Sequence, residues 1–357
     1  MKWPVKKLGD LCVVRRGTTI TQKDAIEGPV PVVGGGIKPT YFHNFANRSE
    51  NTITVSGSGA SAGFINFYKE PIFASDCSTV EPKNEAVNIG YIYRAMQNLQ
   101  PYIYSKLKVG AAQPNVYAKD LANLEIPFPP LAEQRRIAAL LDTADRTLKL
   151  RELAIVKLDQ LAQSIFVEMF GDKNFPFKSL KQLGKVKTGG TPPSSKEGMF
   201  GSLIPFITPG DLENKSIPKR FLTLEGAKES VIVKEGSALV CCIGATIGKM
   251  SKARTESAFN QQLNAVEWGD EINPNFGIHA MRQIKSKIIN GGSATTMPII
   301  KKSLFEKLEI IVPPHELQEK FSHSIKKIET LIDVYDQQLA KSRLLMLSLQ
   351  HQSFAVN

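Results

Sequence analysis

Cysteine, histidine and tryptophan are scarce in this chain, which has four, five and two of them among 357 residues. The cysteines show neither the paired spacing of a zinc site nor the framework of a disulfide-rich domain. The histidines form no metal-type cluster in the sequence. We therefore expect buried or incidental thiols in a reducing cytoplasm, and no metal site. The residues concerned are Cys12, Cys77, Cys241, Cys242, His43, His279, His315, His323 and His351.

Long apolar runs are missing as well. None approaches the roughly 18 residues that a membrane-spanning helix needs, and no apolar signal-peptide core follows the first four residues. The hydrophobic content of 42% and charged content of 22% are typical of a globular protein. These absences predict a cytoplasmic protein without a membrane partner.

Catalytic motifs are the third absence. The glycine-rich "VVGGGIKP" at 32–39 has neither P-loop nor dinucleotide-binding spacing. "NPNF" at 273–276 resembles the N-P-P-[FY] loop of amino-methyltransferases but lacks its second proline and any accompanying cofactor loop, so we interpret it as a turn entering a short helix. "VSGSGAS" around Ser56 is not a nucleophile elbow, and its glycines predict a tight loop suited to a nearby phosphate backbone. The sequence predicts no catalytic residue and no cofactor bound by this chain.

Positive charge is concentrated in two segments. Residues 1–129 contain 14 Lys and Arg against 10 Asp and Glu, and residues 173–312 contain 20 against 12. Residues 130–172 and 313–357 have net charges of −1 and 0, so the two larger segments hold all of the formal excess of +11. Such confinement favours a polyanionic partner, most often nucleic acid, over a charge that only maintains solubility.

The chain also contains an internal repeat. "LGDLCVVRRG" matches "LKQLGKVKTG", "GASAG" matches "GATIG", and "LEIPFPP" matches "LEIIVPP", in the same order and at offsets of 172 to 185 residues. Three ordered matches indicate a duplicated framework with loops of variable length.

After each Pro-Pro pair the apolar pattern changes to a heptad spacing. Neither run contains an internal proline or glycine, and Gly171 is a natural end for the first. The 3.5-residue period predicts two coiled-coil helices, each about 60 Å long. The predicted seam is Ile137, Leu141, Ala144, Leu148, Arg151, Ile155, Leu158, Ala162, Ile165 and Met169 in the first copy, and Phe321, Ile325, Ile328, Ile332, Tyr335, Leu339, Ser342, Met346, Leu349 and Ser353 in the second.

The basic segments contain short β-rich runs, and within them "IGYIYRAMQNL" and "FGIHAMRQI" are each interpreted as a single short helix, which predicts an α+β fold. We expect domains at 1–129 and 172–312 and long helices at 130–171 and 313–357. A domain of this size has a radius of gyration near 14 Å, too small to return the chain to the start of a 60 Å helix. The helices are therefore expected to pair antiparallel, with the two domains at opposite ends of a rod.

Lysines and arginines of the two basic segments are the candidates for phosphate contact. They are Arg15, Arg16, Lys38, Lys106 and Lys108 in the first segment, and Lys187, Lys219, Arg220, Lys249, Lys252 and Arg254 in the second.

The whole pattern resembles the specificity subunit of type I restriction-modification enzymes. The resemblance rests on "LEIPFPPLAEQRRIAALLD", on "MFGD" at 169–172, on "QPN" at 113–115 and on "LEIIVPPHELQEKF". It implies two target-recognition domains that each read half of a split duplex DNA sequence, spaced by the helices. It makes Gln113 a further candidate DNA contact, although Met297 takes its place in the second copy.

The resemblance further implies that S-adenosylmethionine and methyl transfer belong to separate modification subunits, and ATP-driven translocation and cleavage to restriction subunits. Two alternatives stay open from the sequence. A stand-alone DNA adenine methyltransferase would need a cofactor loop, and a coiled-coil scaffold without DNA specificity would leave the charge partition unexplained.

Overall fold

A computed structural model of the chain describes residues 3–110, 112–193, 195–212, 218–292 and 298–354. The chain forms two compact units. Unit 1 comprises Met1–Lys149 and Lys341–Asn357, and unit 2 comprises Leu150–Ala340. Each of the two long helices therefore contributes one segment to each unit.

Unit 1 is an α+β unit built on short strands. A four-stranded antiparallel sheet has the order β2-β8-β5-β6, and a three-stranded sheet has the order β4-β3-β7. The elements are β1 (Val5–Lys7), α1 (Leu8–Leu11), β2 (Cys12–Arg16), β3 (Val30–Val33), β4 (Phe42–His43), β5 (Thr52–Ser56), β6 (Ile65–Tyr68), β7 (Phe73–Ala74), β8 (Cys77–Pro82), α2 (Ile89–Asn98), α3 (Gln100–Tyr102), a π-helical segment (Ile103–Leu107), α4 (Ala118–Ala122), β9 (Glu125–Pro127) and the first part of α5 (Leu131–Phe170).

Unit 2 repeats this plan. Its four-stranded antiparallel sheet has the order β11-β19-β16-β17, which corresponds to β2-β8-β5-β6, and a five-stranded sheet has the order β12-β14-β13-β18-β15. The elements are β10 (Phe177–Ser179), α6 (Leu180–Leu183), β11 (Gly184–Thr188), β12 (Phe200–Gly201), β13 (Ile204–Ile207), β14 (Phe221–Leu222), α7 (Leu224–Lys228), β15 (Ile232–Val233), β16 (Ala238–Cys241), β17 (Met250–Lys252), β18 (Ser257–Phe259), β19 (Leu263–Trp268), α8 (Pro274–Gln283), α9 (Lys285–Asn290), α10 (Lys302–Phe305), β20 (Glu309–Ile311) and α11 (His315–Phe354).

The two long helices contain 40 residues each and begin directly after the second proline of their Pro-Pro pairs. The carbonyl of each of these prolines accepts a hydrogen bond from an amide in the first turn of the helix. Pro130 accepts from Gln134, and Pro314 accepts from Gln318. Helix α5 ends at Phe170, immediately before Gly171 as predicted. All ten predicted seam positions of each helix are buried or half-buried, which confirms the heptad pattern.

The helix segments inside unit 2 run antiparallel. The ring of Phe321, early in α11, lies 5.4 Å from that of Phe166 and 5.6 Å from that of Phe170, late in α5. Further back along α5, the Arg151 guanidinium donates to the Gln338 carbonyl at 3.2 Å. The late part of α5 thus contacts the early part of α11, and an earlier part of α5 contacts a later part of α11, as expected for the antiparallel pair that the sequence predicted.

In each unit a continuous apolar core joins the α+β domain to its helix segments. In unit 1, Ile137 and Leu141 of α5 and Phe354 of α11 pack with Tyr91 and Met96 of α2. Burying one such large side chain stabilises a fold by about 1.5–3 kcal/mol. The helices are therefore part of each domain's core and not only a connection.

Three smaller predictions are confirmed, on the short helices, on the "NPNF" stretch and on the burial of the cysteines. The two helices predicted within the basic segments are α2 and α8, which lie among other, shorter helices, and the "NPNF" stretch is the N-terminus of α8, with Asn273 as its capping residue. All four cysteines are buried and unpaired. In the described ranges no group of three or more His, Cys, Asp or Glu side chains is placed to hold a metal ion, and no described helix is long and apolar enough to cross a membrane.

Candidate nucleic-acid interface

In each unit a buried glutamine connects the α+β domain to the start of a long helix. In unit 1 the Gln134 side chain donates to the carbonyls of Pro129 (2.9 Å) and Ala86 (3.2 Å) and accepts from the Asn88 amide (2.8 Å). Its side chain pairs with three backbone groups, of which the carbonyl of the buried Pro129 would otherwise be left without a partner. Asn88 in turn caps α2 by accepting from the Tyr91 amide.

Unit 2 repeats this arrangement. Gln318 donates to the carbonyls of Pro313 (2.9 Å) and Glu271 (3.0 Å) and accepts from the Asn273 amide (2.9 Å). Asn273 caps α8. Both glutamines are fully buried. The glutamine of each "PP…Q" motif is therefore the residue that sets the position of its domain on the helix.

Two glycine loops stand at equivalent places on the two four-stranded sheets. Glycine loop 1 (Gly59–Gly63) has φ values of 76° and 86° at its two glycines, and glycine loop 2 (Gly244–Gly248) has 90° and 84°. Only glycine adopts this left-handed region readily. The prediction of a tight loop in the "VSGSGAS" stretch is confirmed, and glycine loop 2 repeats it.

The glycine loops are held in the same way in both units. The Gly63 amide donates to the Ser56 carbonyl at 2.8 Å, and the Gly248 amide to the Cys241 carbonyl at 2.9 Å. The first glycine of each loop donates to a proline carbonyl, Pro114 in the "QPN" stretch at 3.0 Å and Pro298 at 2.9 Å. The matching "QPN" position Met297 lies outside the described residues.

Beside glycine loop 1 lies a polar surface that we call the unit 1 loop surface, made of Arg16, Gly35, Ser58, Asp76 and Asn115. The Asp76 carboxylate accepts from the Arg16 guanidinium at 3.3 Å and from the Ser58 hydroxyl. Ser58 and Asn115 form an isolated β-bridge, and a Cβ at Gly35 would lie 3.2 Å from the Asp76 carboxylate. Three separate chain segments, those of Arg16, Gly35 and Ser58, thus meet at Asp76, and the segment of Asn115 joins them through Ser58.

The neighbouring thiol of Cys77 adds no charge to this surface. Burial raises its pKa to about 12, an effect that the charge of Arg48 only partly offsets. The thiol is therefore protonated at neutral pH and is a poor nucleophile.

The structure brings most of the predicted DNA-contacting residues of unit 1 near this surface. Lys108 donates to the Ala60 carbonyl of glycine loop 1 at 3.4 Å and lies 4.6 Å from the centre of the Tyr104 ring. Gln113 is exposed in the loop that contacts Gly59, and Lys38 is exposed one residue after Ile37, whose carbonyl accepts from Asn66 on β6. Lys106 is exposed on the π-helical segment.

Arg15 is placed differently. Its guanidinium forms three hydrogen bonds to the Glu81 carboxylate, at 2.9 to 3.1 Å. Consecutive strand residues point to opposite faces of a sheet, and the structure accordingly separates Arg15 from Arg16 and from the unit 1 loop surface.

In unit 2 the predicted cations are more dispersed. Lys187 pairs with Glu267 at 2.5 Å, and this hydrogen bond lowers the pKa of Glu267 below its usual range despite partial burial. Lys252 pairs with Glu329 and Arg254 with Asp333, both on α11. These three cations hold unit 2 together, and whether they also contact phosphate stays a prediction.

The other three cations of unit 2 are more accessible or lie at the loop. Arg220 is exposed with its guanidinium 4.2 Å from the centre of the Phe200 ring, and Lys219 beside it is exposed. Lys249 is half-buried and directly follows glycine loop 2.

Sequence reasoning missed Asp76 and Ser58 because an isolated carboxylate and a serine in a glycine-rich stretch carry no recognisable spacing. Asn115 could have been predicted from the sequence, because it belongs to the "QPN" motif that also contains Gln113.

Comparison with known proteins agrees with this architecture. The family model described as "Type I restriction modification DNA specificity domain" matches residues 1–159 and 172–341. The MjaVIII specificity subunit of Methanocaldococcus jannaschii, named as part of a type I restriction enzyme, is 26% identical over 197 residues, which are 52% of this chain and 46% of that protein. The MjaIX specificity subunit of the same organism is 23% identical, over 90% of this chain and 85% of that protein.

The chain therefore spans about half the length of the first of these relatives. Among solved structures, the S subunit of a type I restriction-modification system from M. genitalium has a TM-score of 0.73 and 18% identity, covering 100% of this chain and 97% of that one. That likeness concerns the fold. Because the family model matches almost the whole chain in two segments, the chain belongs to the type I restriction modification DNA specificity domain family and carries its domain twice.

Proposed function

We propose that this chain is the non-catalytic DNA specificity subunit of a type I restriction-modification enzyme, and that each of its recognition domains reads one half of a bipartite duplex target. One observation carries the proposal. The two units share the same framework contacts, but the residues placed around the two glycine loops differ. A repeated scaffold with different loop residues is what reading two different half-sites requires.

The exposed and half-buried cations of the loop regions supply the phosphate contacts in this proposal. They are Lys38, Lys106 and Lys108 with the neutral Gln113 in unit 1, and Lys219, Arg220 and Lys249 in unit 2. Arg15 is left out because Glu81 engages its guanidinium away from the unit 1 loop surface. Lys and Arg contacts to phosphate release counterions, so the affinity should fall steeply as salt rises.

The long helices are proposed to set the gap between half-sites and to dock the modification subunits. Exposed apolar side chains along the helices support the docking role. In unit 2 they include Leu150, Leu153, Val156, Leu331 and Val334, and in unit 1 Leu140, Leu344, Leu345 and Leu347. S-adenosylmethionine is assigned to the modification subunits, and translocation and cleavage to restriction subunits. A chain acting with these partners on DNA would work in the cytoplasm.

Methylation mapping tests this function directly. DNA from cells that express the modification subunits should carry methylation at one bipartite sequence only when this chain is present. Removing one heptad within 137–169 and its counterpart within 321–353 shortens each helix by about 10 Å, and should change the tolerated gap while both half-sites persist. Methyl transfer by the purified chain alone, or methylation that is independent of the chain, would overturn the proposal.

A further inference from the structure

We propose that Arg16, oriented by Asp76, reads a guanine in the half-site of unit 1. The inference rests on the proposed function and deepens it, because it turns one of the predicted phosphate contacts into a base contact. Arg16 is the last residue of β2, next to glycine loop 1, and 68% of its side chain is exposed. One of its N–H groups donates to Asp76 at 3.3 Å.

Asp76 is well fixed, so it is suited to orient the arginine. Its second carboxylate oxygen accepts from the Ser58 hydroxyl, and its backbone carbonyl accepts from the Gly57 amide at 3.1 Å. Its side chain is 30% exposed, less than half the exposure of Arg16. A guanidinium carries five N–H donors in a rigid plane. The hydrogen bond to Asp76 engages one of these donors and restricts the guanidinium, while the other donors stay available to a ligand.

The carboxylate makes a base contact the better assignment than a phosphate contact. A negative charge beside the guanidinium opposes the approach of phosphate, whereas it costs little when the arginine binds an uncharged base edge. The O6 and N7 atoms of guanine accept two parallel hydrogen bonds from one arginine, the most common specific contact in protein–DNA complexes. Lys108, which contacts a backbone carbonyl and an aromatic ring, suits the phosphate role better.

Unit 2 has no corresponding arginine. The Gly57 amide donates to the Asp76 carbonyl, and in unit 2 the Cys242 amide donates to the Gln262 carbonyl. Gln262 is therefore the unit 2 equivalent of Asp76. Thr188 ends β11 where Arg16 ends β2, and its hydroxyl donates to Asn264. An Ile243–Ile299 bridge replaces that of Ser58 and Asn115. Reading of guanine by this device is therefore confined to the half-site of unit 1.

The test is selection from a library of random-sequence duplexes by the full chain assembled with its modification subunits. Wild type is compared with R16K, D76N and the control R15K. Lysine keeps the charge of Arg16 but lacks the planar pair of donors. R16K should lower discrimination at a single G·C position of one half-site by about tenfold to a hundredfold. Its affinity for unselected DNA and the salt dependence of that affinity should stay close to wild type.

D76N tests the positioning role of Asp76. Loss of the negative charge should strengthen binding to unselected DNA at low salt, while discrimination falls at the same G·C position as in R16K. A purely structural role would not combine these two changes. R15K alters the neighbouring arginine that Glu81 holds, and it should leave the selected sequence unchanged.

The outcomes separate the two levels of the proposal. If wild type selects a bipartite sequence but R16K selects the same sequence with equal stringency, Arg16 is not a base-reading residue. Relaxation at an A·T position, or in both half-sites, also overturns the guanine assignment. If wild type selects no sequence, the proposed function itself fails and this inference falls with it.

Discussion

The two units attach their domains to the long helices with one constant device and one variable device. The constant device is the glutamine, Gln134 or Gln318, which bonds only backbone groups. The variable device is an ion pair. In unit 1 a buried arginine of α2, Arg94, pairs with Asp142 and Asp145 of α5, whereas in unit 2 Lys252 of β17 pairs with Glu329 of α11.

The acidic residues of these ion pairs, Asp145 and Glu329, occupy equivalent helix positions, whereas their cationic partners do not. Asp145 and Glu329 each follow their glutamine by 11 residues, which is about three helical turns and therefore the same helix face. The place of Arg94 in α2 is taken in α8 by His279. Backbone groups occupy the same positions whatever the side chains are, so the glutamine contact persists. An ion pair needs only a cation within reach of the acid, so its source can change from helix to strand.

The apolar contacts differ as well. Unit 1 packs Tyr91, Ile137 and Leu141 around Phe354, whereas unit 2 packs the rings of Phe166, Phe170, Phe276 and Phe321, with centroids 5.0 to 6.3 Å apart. Aromatic pairs add about 0.5–1.5 kcal/mol beyond the area that they bury. Unit 2 is therefore expected to have the more strongly stabilised helix contact.

The largest expected effect comes from exchanging a whole domain. Replacing residues 1–129 by the corresponding segment of another family member should change one half-site and leave the other as it was, because the framework contacts are shared and the loops are not. Methylation mapping gives the readout. A change in both half-sites would show that the two domains do not read DNA independently.

The second effect compares two equivalent helix positions. Phe321→Ala removes a ring that contacts Phe166, Phe170 and His279, and should destabilise unit 2 by about 3–5 kcal/mol. Ile137→Ala, at the matching position of unit 1, should cost about 2–5 kcal/mol and less than Phe321→Ala. Hydrogen exchange measured separately for each unit checks the order. Equal losses, or the reverse order, would contradict the role given to the aromatic cluster.

The third effect tests the constant device. Gln134→Ala and Gln318→Ala each leave the carbonyl of a buried proline unpaired and should cost about 1–3 kcal/mol, in nearly equal amounts. The amides of Asn88 and Asn273 should lose protection from hydrogen exchange in the respective variant. Gln→Glu serves as the matched change, because it keeps the size and the acceptor but loses both donated bonds. Clearly unequal losses in the two units would show that the devices are not equivalent.

The sequence predicted the features that depend on periodicity and on repeated motifs. The heptad seams, the Pro-Pro helix starts, the short helices and the glycine loops follow from local physical chemistry, and the duplication made each visible twice. Features that depend on one partner meeting another across many residues were not predictable. The pairing of Arg94 with Asp145, the acidic partners that Arg15 and Arg16 find, and the hydrogen bond from Ser58 to Asp76 arise only when distant segments are assembled.

The smallest effect tests the variable device and its pH dependence. Arg94 is 5% exposed but its acidic partners are partly exposed, so Arg94→Met should cost about 1–2 kcal/mol. Lys252→Met, where both partners are partly exposed, should cost about 0.5–1 kcal/mol. Burial raises the pKa of Asp145, but the hydrogen bond from Lys149 and the charge of Arg94 outweigh it and leave the pKa below its ordinary value.

A carboxyl group with a depressed folded-state pKa stabilises the protein above its unfolded pKa, about 3.9 for aspartate, and this contribution is lost as pH falls through the folded-state value. The difference in unfolding free energy between wild type and Arg94→Met should therefore have its largest value near neutral pH and become smaller below about pH 4. Denaturant unfolding of both proteins between neutral and acidic pH measures it, with Lys252→Met as the control in the other unit. A difference that persists undiminished in acid would mean that Arg94 stabilises unit 1 through packing of its side chain, and that the ion pair contributes nothing.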